Sequence, residues 1–198
     1  MEKLDIEKFL RKIWITKKSR IIGSERLNRK DEFFQKLSVS YSIIIVALSI
    51  WNIQILNTEL QRKSSYVILI TSIAVSLFAM FITSRNYKER YFNLKINYTE
   101  LDILYTELEN IKSIDNIEEF NHKFLEISKK YNNLLMYVEN HSTYDYLIIM
   151  SRIKKEEKSS LNKEQIKLLR NYKFTEKLCA ILFVIVPPIA IFLLIKYF

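Results

Sequence analysis

Glycine is almost absent from this chain: Gly23 is the only one among 198 residues. Tight hairpin turns need residues that accept positive φ, glycine first among them. A fold of many short strands is therefore disfavoured, and helices are the default. Prolines number two, adjacent at Pro187 and Pro188. The single cysteine, Cys179, excludes an internal disulfide and says nothing about redox compartment. His122, His141 and that cysteine make no zinc-ligand spacing, so no metal is expected, and no cofactor either. A glycine-rich phosphate cradle and a glycine-flanked nucleophile are both missing. Carboxylates lie singly along the chain, mostly near a lysine. An enzyme is not expected.

Charge is also missing, locally, and those gaps organise the chain. Three windows contain no Asp, Glu, Lys or Arg: Leu37–Thr58, Ser64–Ser84 and Leu178–Ile195. A helix needs about 20 residues to cross roughly 30 Å of hydrocarbon. The first two windows match that length. The third is marginal and carries Pro187 and Pro188 in its middle. In lipid the backbone must satisfy its own hydrogen bonds, which overrides the strand preference of the many isoleucines. Tyr41, Trp51, Tyr66 and Tyr197 lie toward window ends, where aromatic rings favour the membrane interface. No cleavable signal peptide is expected, because the first apolar run opens only at Leu37.

Net charge is +9, which points to an anionic partner such as phospholipid or nucleic acid. Eleven lysines and arginines precede the first window, two separate it from the second, and Arg85, Lys88, Arg90 and Lys95 follow the second. The positive-inside rule then places the N-terminus and residues 85–177 in the cytoplasm. The third window reads as a proline-kinked span; a re-entrant segment is the alternative.

The expected architecture is all-α. An amphipathic pre-membrane helix marked by Ile6, Phe9, Leu10, Ile13 and Trp14 occupies 1–36. Membrane helices follow at 37–58 and 64–84, then a cytoplasmic helical stalk at 85–177 and a third hydrophobic helix at 178–196. In the stalk, Tyr87, Tyr91, Leu94, Tyr98, Leu101, Tyr105 and Leu108 recur at 4-3-4-3-4-3. Ile117, Phe120, Phe124, Ile127, Tyr131, Leu134 and Val138 recur at 3-4-3-4-3-4. A 3.5-residue repeat is the seam of a supercoiled pair, so an antiparallel helical hairpin is predicted. The tyrosines read as packing rather than as a base-stacking platform. No glycine or proline lies between Ser64 and Asp115, so the second membrane helix is expected to run unbroken into the stalk, a rod of roughly 70 Å. Ser142 and Asn162 are predicted N-caps, with Lys154 to Ser160 as a solvated loop.

Two sets of residues are candidates for function. Ser65, Ser72, Ser76 and Thr83 share a face of the second membrane helix, and Ser42, Ser49 and Asn52 share a face of the first. Small hydroxylated residues let membrane helices approach one another; the functional alternative is that they line a pore. Two or three helices per chain cannot enclose a water path, so a pore requires a homo-oligomer. The second set is basic: Lys8, Arg11, Lys12, Lys17, Lys18, Arg20, Arg152, Lys154, Lys155 and Lys158. These fix topology or hold anionic lipid, or they contact a phosphodiester chain.

The run Trp14, Ile15, Thr16, Lys17, Lys18, Ser19, Arg20, then Glu25, Arg26 and Leu27, precedes the membrane pair. Tyr131, Leu134, Leu135, Glu139, Asn140 and His141 close the stalk, with Asp145 and Tyr146 after them. With this architecture the chain resembles the SLATT family, two-membrane-helix effectors of bacterial conflict systems. It is most similar to the branch found beside nucleotidyltransferases or reverse transcriptases. The resemblance implies a pore- or channel-forming anti-phage effector of the inner membrane, gated by a nucleotide or oligonucleotide that a partner enzyme makes. Glu139, Asn140, His141 and Asp145 would then be either a capping network or the border of a regulatory site. A non-conducting membrane scaffold that docks a cytoplasmic enzyme is the alternative from another class. A membrane enzyme relying on His141 or Asp145 is the weaker third.

Overall fold

A computed structural model describes the backbone of residues 3–139, 142–156 and 161–197, and side chains at 6–139, 142–156 and 161–189. Among the described residues there is no strand. The helices are α1 (Lys3–Ile53), α2 (Thr58–Ser84), α3 (Tyr87–Asn110), α4 (Ile117–Met136), α5 (Thr143–Glu156) and α6 (Lys163–Tyr197), and a short 3-10 turn at Ile111–Ser113 follows α3. Their starts are chemically marked. The Asn57 side chain accepts from the backbone N–H groups of Glu59 and Leu60, and Asn116 from those of Glu118 and Glu119. The caps predicted at Ser142 and Asn162 are present: Asp145 N–H donates to Ser142 Oγ and Gln165 N–H to Asn162 Oδ1, and in return Ser142 N–H donates to Asp145 Oδ2 and Asn162 N–H to Gln165 Oε1.

Three expectations need correction. The helix beginning at Thr58 does not run into the stalk but ends at Ser84. Asn86 has φ of 48°, a left-handed conformation that terminates a helix and that asparagine adopts more readily than other side-chain-bearing residues. Asparagine does here what absent glycine was expected to be needed for. Lys154, Lys155 and Glu156 belong to the last turn of α5 rather than to a loop; residues 157–160 lie outside the described residues. Ile117, expected in the seam of the second stalk helix, is 74% exposed.

The chain divides into two compact units, Met1–Asn28 with Lys88–Asn171, and Arg29–Tyr87 with Tyr172–Phe198. In the first, Ile6, Leu10 and Ile13 of α1 pack with Leu101, Leu104 and Leu108 of α3 and with Ile127 and Tyr131 of α4. Phe9 meets Phe124 and Tyr131 at 5.4 and 5.3 Å between ring centres. Further along α1, Ile22 packs with Ile149 and Ile153 of α5. Arg90 pairs with Glu139, Asn97 with the Leu134 carbonyl, and Glu107 with Lys130. Gly23 lies inside α1, where it makes room rather than a turn: a Cβ there would stand 3.1 Å from Asp145 Oδ2 and 3.4 Å from Leu94 Cδ1.

In the second unit, Phe34, Tyr41, Phe78 and Phe183 form an aromatic cluster drawn from α1, α2 and α6. Near the α1–α2 connection, Asn52 Nδ2 donates to Ser65 Oγ at 2.8 Å, Ser64 Oγ donates to Asn52 Oδ1, and Gln61 Nε2 donates to the Asn52 carbonyl. Pro187 brings no N–H to the carbonyl four residues back, that of Phe183. The Tyr41 hydroxyl donates to that same carbonyl, so α1 repairs the defect that proline makes in α6. Two helices are long and apolar enough to cross a membrane, and only 11% and 6% of their apolar windows is buried. A soluble protein would bury such a helix in its core. Ile43, Leu69 and Leu77 are instead 64, 58 and 61% exposed, and contiguous exposed apolar surface marks a membrane or protein contact.

Candidate functional site

The hydroxyls of the membrane stripe are already satisfied. Ser42, Ser49, Ser65, Ser72, Ser76 and Thr83 each donate to the carbonyl four residues earlier on their own helix, at 2.7 to 3.1 Å. This is how a serine lowers its cost in hydrocarbon. Between the two stripes, Asn52 and Ser65 are joined by a hydrogen bond.

The basic candidates separate into distinct environments. Lys8, Arg11 and Lys12 converge on a cavity of about 380 Å³ that Ile15, Thr16 and Tyr146 complete. Thr16 Oγ1 and the Tyr131 hydroxyl share a hydrogen bond of 3.0 Å behind it, and the Lys12 ammonium stands 5.2 Å from the Tyr131 ring centre. The i, i+3, i+4 spacing of the three cations puts them on one face of α1, and α5 brings Tyr146 to the same place. Three positive charges beside an aromatic ring can attract phosphate and lie against a base. Lys17 turns away from this groove to Asp102, at 2.5 Å. Lys18 stands over the Trp14 ring at 5.7 Å. Arg152 is exposed, and Lys154 and Lys155 end α5, where cations oppose the negative helix terminus. Lys158 lies outside the described residues. Arg20 is fully buried, with a pKa pushed below its ordinary value by that burial and held up in part by Tyr131.

The stalk-end motif resolves into two ion pairs. Glu139 is held by Arg90 at 2.8 Å. Asp145, fully buried, takes both nitrogens of the Arg26 fork at 2.9 Å, together with Ser142 N–H and Ser142 Oγ on Oδ2. Asn140 and His141 lie outside the described residues. Arg26 was visible in the sequence as part of a motif, but its partner is 119 residues away, beyond the reach of any local pattern. Among the described residues no group of His, Cys, Asp and Glu is arranged to hold a metal.

Exposed apolar helices of membrane-crossing length, joined to a polar helical unit with a basic groove, define an all-helical membrane protein. The chain belongs to the SMODS and SLOG-associating 2TM effector domain family 5 (SLATT), matched over residues 2–194. Membership makes it a two-transmembrane effector of defence systems, in a family of effector domains rather than a known family of enzymes. No curated protein and no solved structure matches the chain.

Proposed function

We propose that this chain is the pore-forming subunit of a homo-oligomeric channel in a bacterial inner membrane, acting by depolarising or permeabilising that membrane on infection. Its N-terminus and residues 85–177 face the cytoplasm, α3 and α4 act as an antiparallel hairpin, and residues 178–196 cross as a proline-kinked third span. An anionic nucleotide or oligonucleotide, made by a nucleotidyltransferase or reverse transcriptase partner, binds the Lys8, Arg11, Lys12 and Tyr146 groove and shifts the gate. A ligand does so only by binding open and closed states differently.

The observation that carries this reading is the pairing of effector-family membership with exposed apolar helices too few to enclose water alone. A feature of α3 supports self-association. Its buried face carries Leu94, Leu101 and Leu108, while Phe92, Ile96 and Ile103 on another face are 46, 58 and 57% exposed. With Thr99 these follow a 4-3-4 spacing, and Lys95 and Glu100 flank the row five residues apart, where parallel helices exchange ion pairs. The test is ion flux from liposomes containing the purified protein, with and without the partner enzyme's nucleotide product. The expected outcome is leakage that one of these conditions switches; no leakage in either rejects the pore. Liposomes bearing Ser72→Leu and Ser76→Leu separate pore from scaffold. A lining role predicts lost conductance with assembly intact, and unchanged activity favours a non-conducting scaffold that docks the enzyme.

A further inference from the structure

Within the Arg29–Tyr87 and Tyr172–Phe198 unit, α1, α2 and α6 line a cavity of about 330 Å³. Tyr41, Phe78 and Phe183 close its floor, with ring centres 6.4 Å apart from Tyr41 to Phe78 and 5.5 Å apart from Phe78 to Phe183. Ile44, Ile70 and Ala74 stand at its mouth and are exposed. Its described lining carries no charged side chain. Both hydroxyls in the wall are committed: Thr71 donates to the Val67 carbonyl at 2.7 Å, and Tyr41 to the Phe183 carbonyl. Pro187, also in the wall, has no N–H. The wall therefore presents water with no donor, and apolar cavities stay dry and take apolar ligands. The lining positions 70, 74 and 78 mark two turns of α2, so the slot runs roughly 12 Å along the helix. That is less than half of the roughly 30 Å of hydrocarbon in a bilayer, within the depth of one leaflet. A helix from a second copy, about 10–12 Å across, is too thick for so small a volume, and a single side chain enters the slot at one level only.

We propose that this slot holds one acyl tail of a membrane phospholipid, which enters sideways between Ile44 of α1 and Ile70 and Ala74 of α2. A tail lying along the slot gives its walls the van der Waals contacts on which apolar packing depends. It meets α1 and α2 on two sides and α6 at Phe183 and Pro187, and so ties the proline-bearing helix to the other two. Recognition is by shape and apolarity. The headgroup stays outside the slot and is not selected. The site depends on α1 and α2 lying in lipid; it needs neither conduction nor the basic groove, so its failure leaves the channel reading standing, and the reverse holds too.

The experiment uses the full chain purified in a steroid-based detergent, which brings no alkyl tail of its own. After washing, the wild type retains an equimolar amount of phospholipid, measured as lipid phosphorus. Its unfolding midpoint rises with added dioleoylphosphatidylethanolamine and equally with dioleoylphosphatidylglycerol, as for any ligand that binds only the folded state. Ala74→Phe, which fills the slot from its exposed mouth, loses both the retained lipid and the response. Ala74→Leu, a smaller filler, reduces both. Leu69→Phe, on α2 at a position 58% exposed that does not line the slot, keeps both. A wild type that retains no lipid and whose midpoint is indifferent to both lipids overturns the proposal. A response confined to the anionic lipid does the same, because it places recognition at the headgroup. So does an Ala74→Phe chain that keeps its lipid; if that chain also loses self-association, the slot belongs to a second copy.

Discussion

Asp145 is the residue on which the polar interior turns. Two nitrogens from Arg26 and two groups from Ser142 converge on its carboxylate, so both charges are neutralised inside the unit. Asp145→Asn keeps the shape but removes a buried negative charge that faces Arg26, whose side chain is only 13% exposed. A loss of about 3–5 kcal/mol in unfolding stability is expected, measurable by denaturation in detergent. Gly23 tests the same node from the other side. Alanine favours a helix interior over glycine by about 1 kcal/mol, yet the added Cβ meets Asp145 Oδ2 at 3.1 Å, and that oxygen is held too firmly to move. Overpacking of this kind costs about 1–3 kcal/mol, so Gly23→Ala should lower the unfolding midpoint, and a raised midpoint would contradict this packing. Neither role was legible in the sequence. Arg26 and Asp145 each appeared in motifs, but nothing local couples positions so far apart, and the burial of Arg20 looked like one more basic residue in a basic segment.

Helices were the legible level. Charge-free windows, asparagine and serine caps and the 3.5-residue repeat each have a local physical cause, and Leu94, Leu101, Leu108, Ile127 and Tyr131 are buried as that repeat requires. What the repeat concealed is a second exposed row on α3, because one helix can carry two seams on different faces. The break at Asn86 was missed for another reason: glycine and proline were taken as the punctuation, and asparagine performs it. At φ of 48° a Cβ without a compensating polar side chain costs about 1–2 kcal/mol. Asn86→Ala should therefore destabilise the α2 terminus by about that amount, whereas Asn86→Gly should be close to neutral, as read by the unfolding midpoints of the two variants.

On a Cys179→Ser background, Ile96→Cys should give disulfide-linked dimers in membranes under mild oxidation, since the parallel pairing inferred for α3 brings each copy's residue to its equivalent. Cysteine placed instead at buried Leu101 should not cross-link, and equal yields at both positions would remove the case for that face. Nucleotide binding at the Lys8, Arg11 and Lys12 groove is expected to weaken as salt rises, because exposed charges are screened over about 8 Å at physiological ionic strength. Affinity measured by titration at increasing salt checks this, and affinity independent of salt would place recognition elsewhere.

The bond from Tyr41 to the Phe183 carbonyl limits how α6 can move. Along a helix most carbonyls already accept from the amide four residues on, and a hydroxyl must share that acceptor. Pro187 and Pro188 vacate two such berths, at Phe183 and Val184. The Tyr41 hydroxyl takes the first of them, at Phe183, with no competing amide. A shift of α6 against α1 in that stretch therefore gives up a hydrogen bond that no amide of α6 can restore to the Phe183 carbonyl.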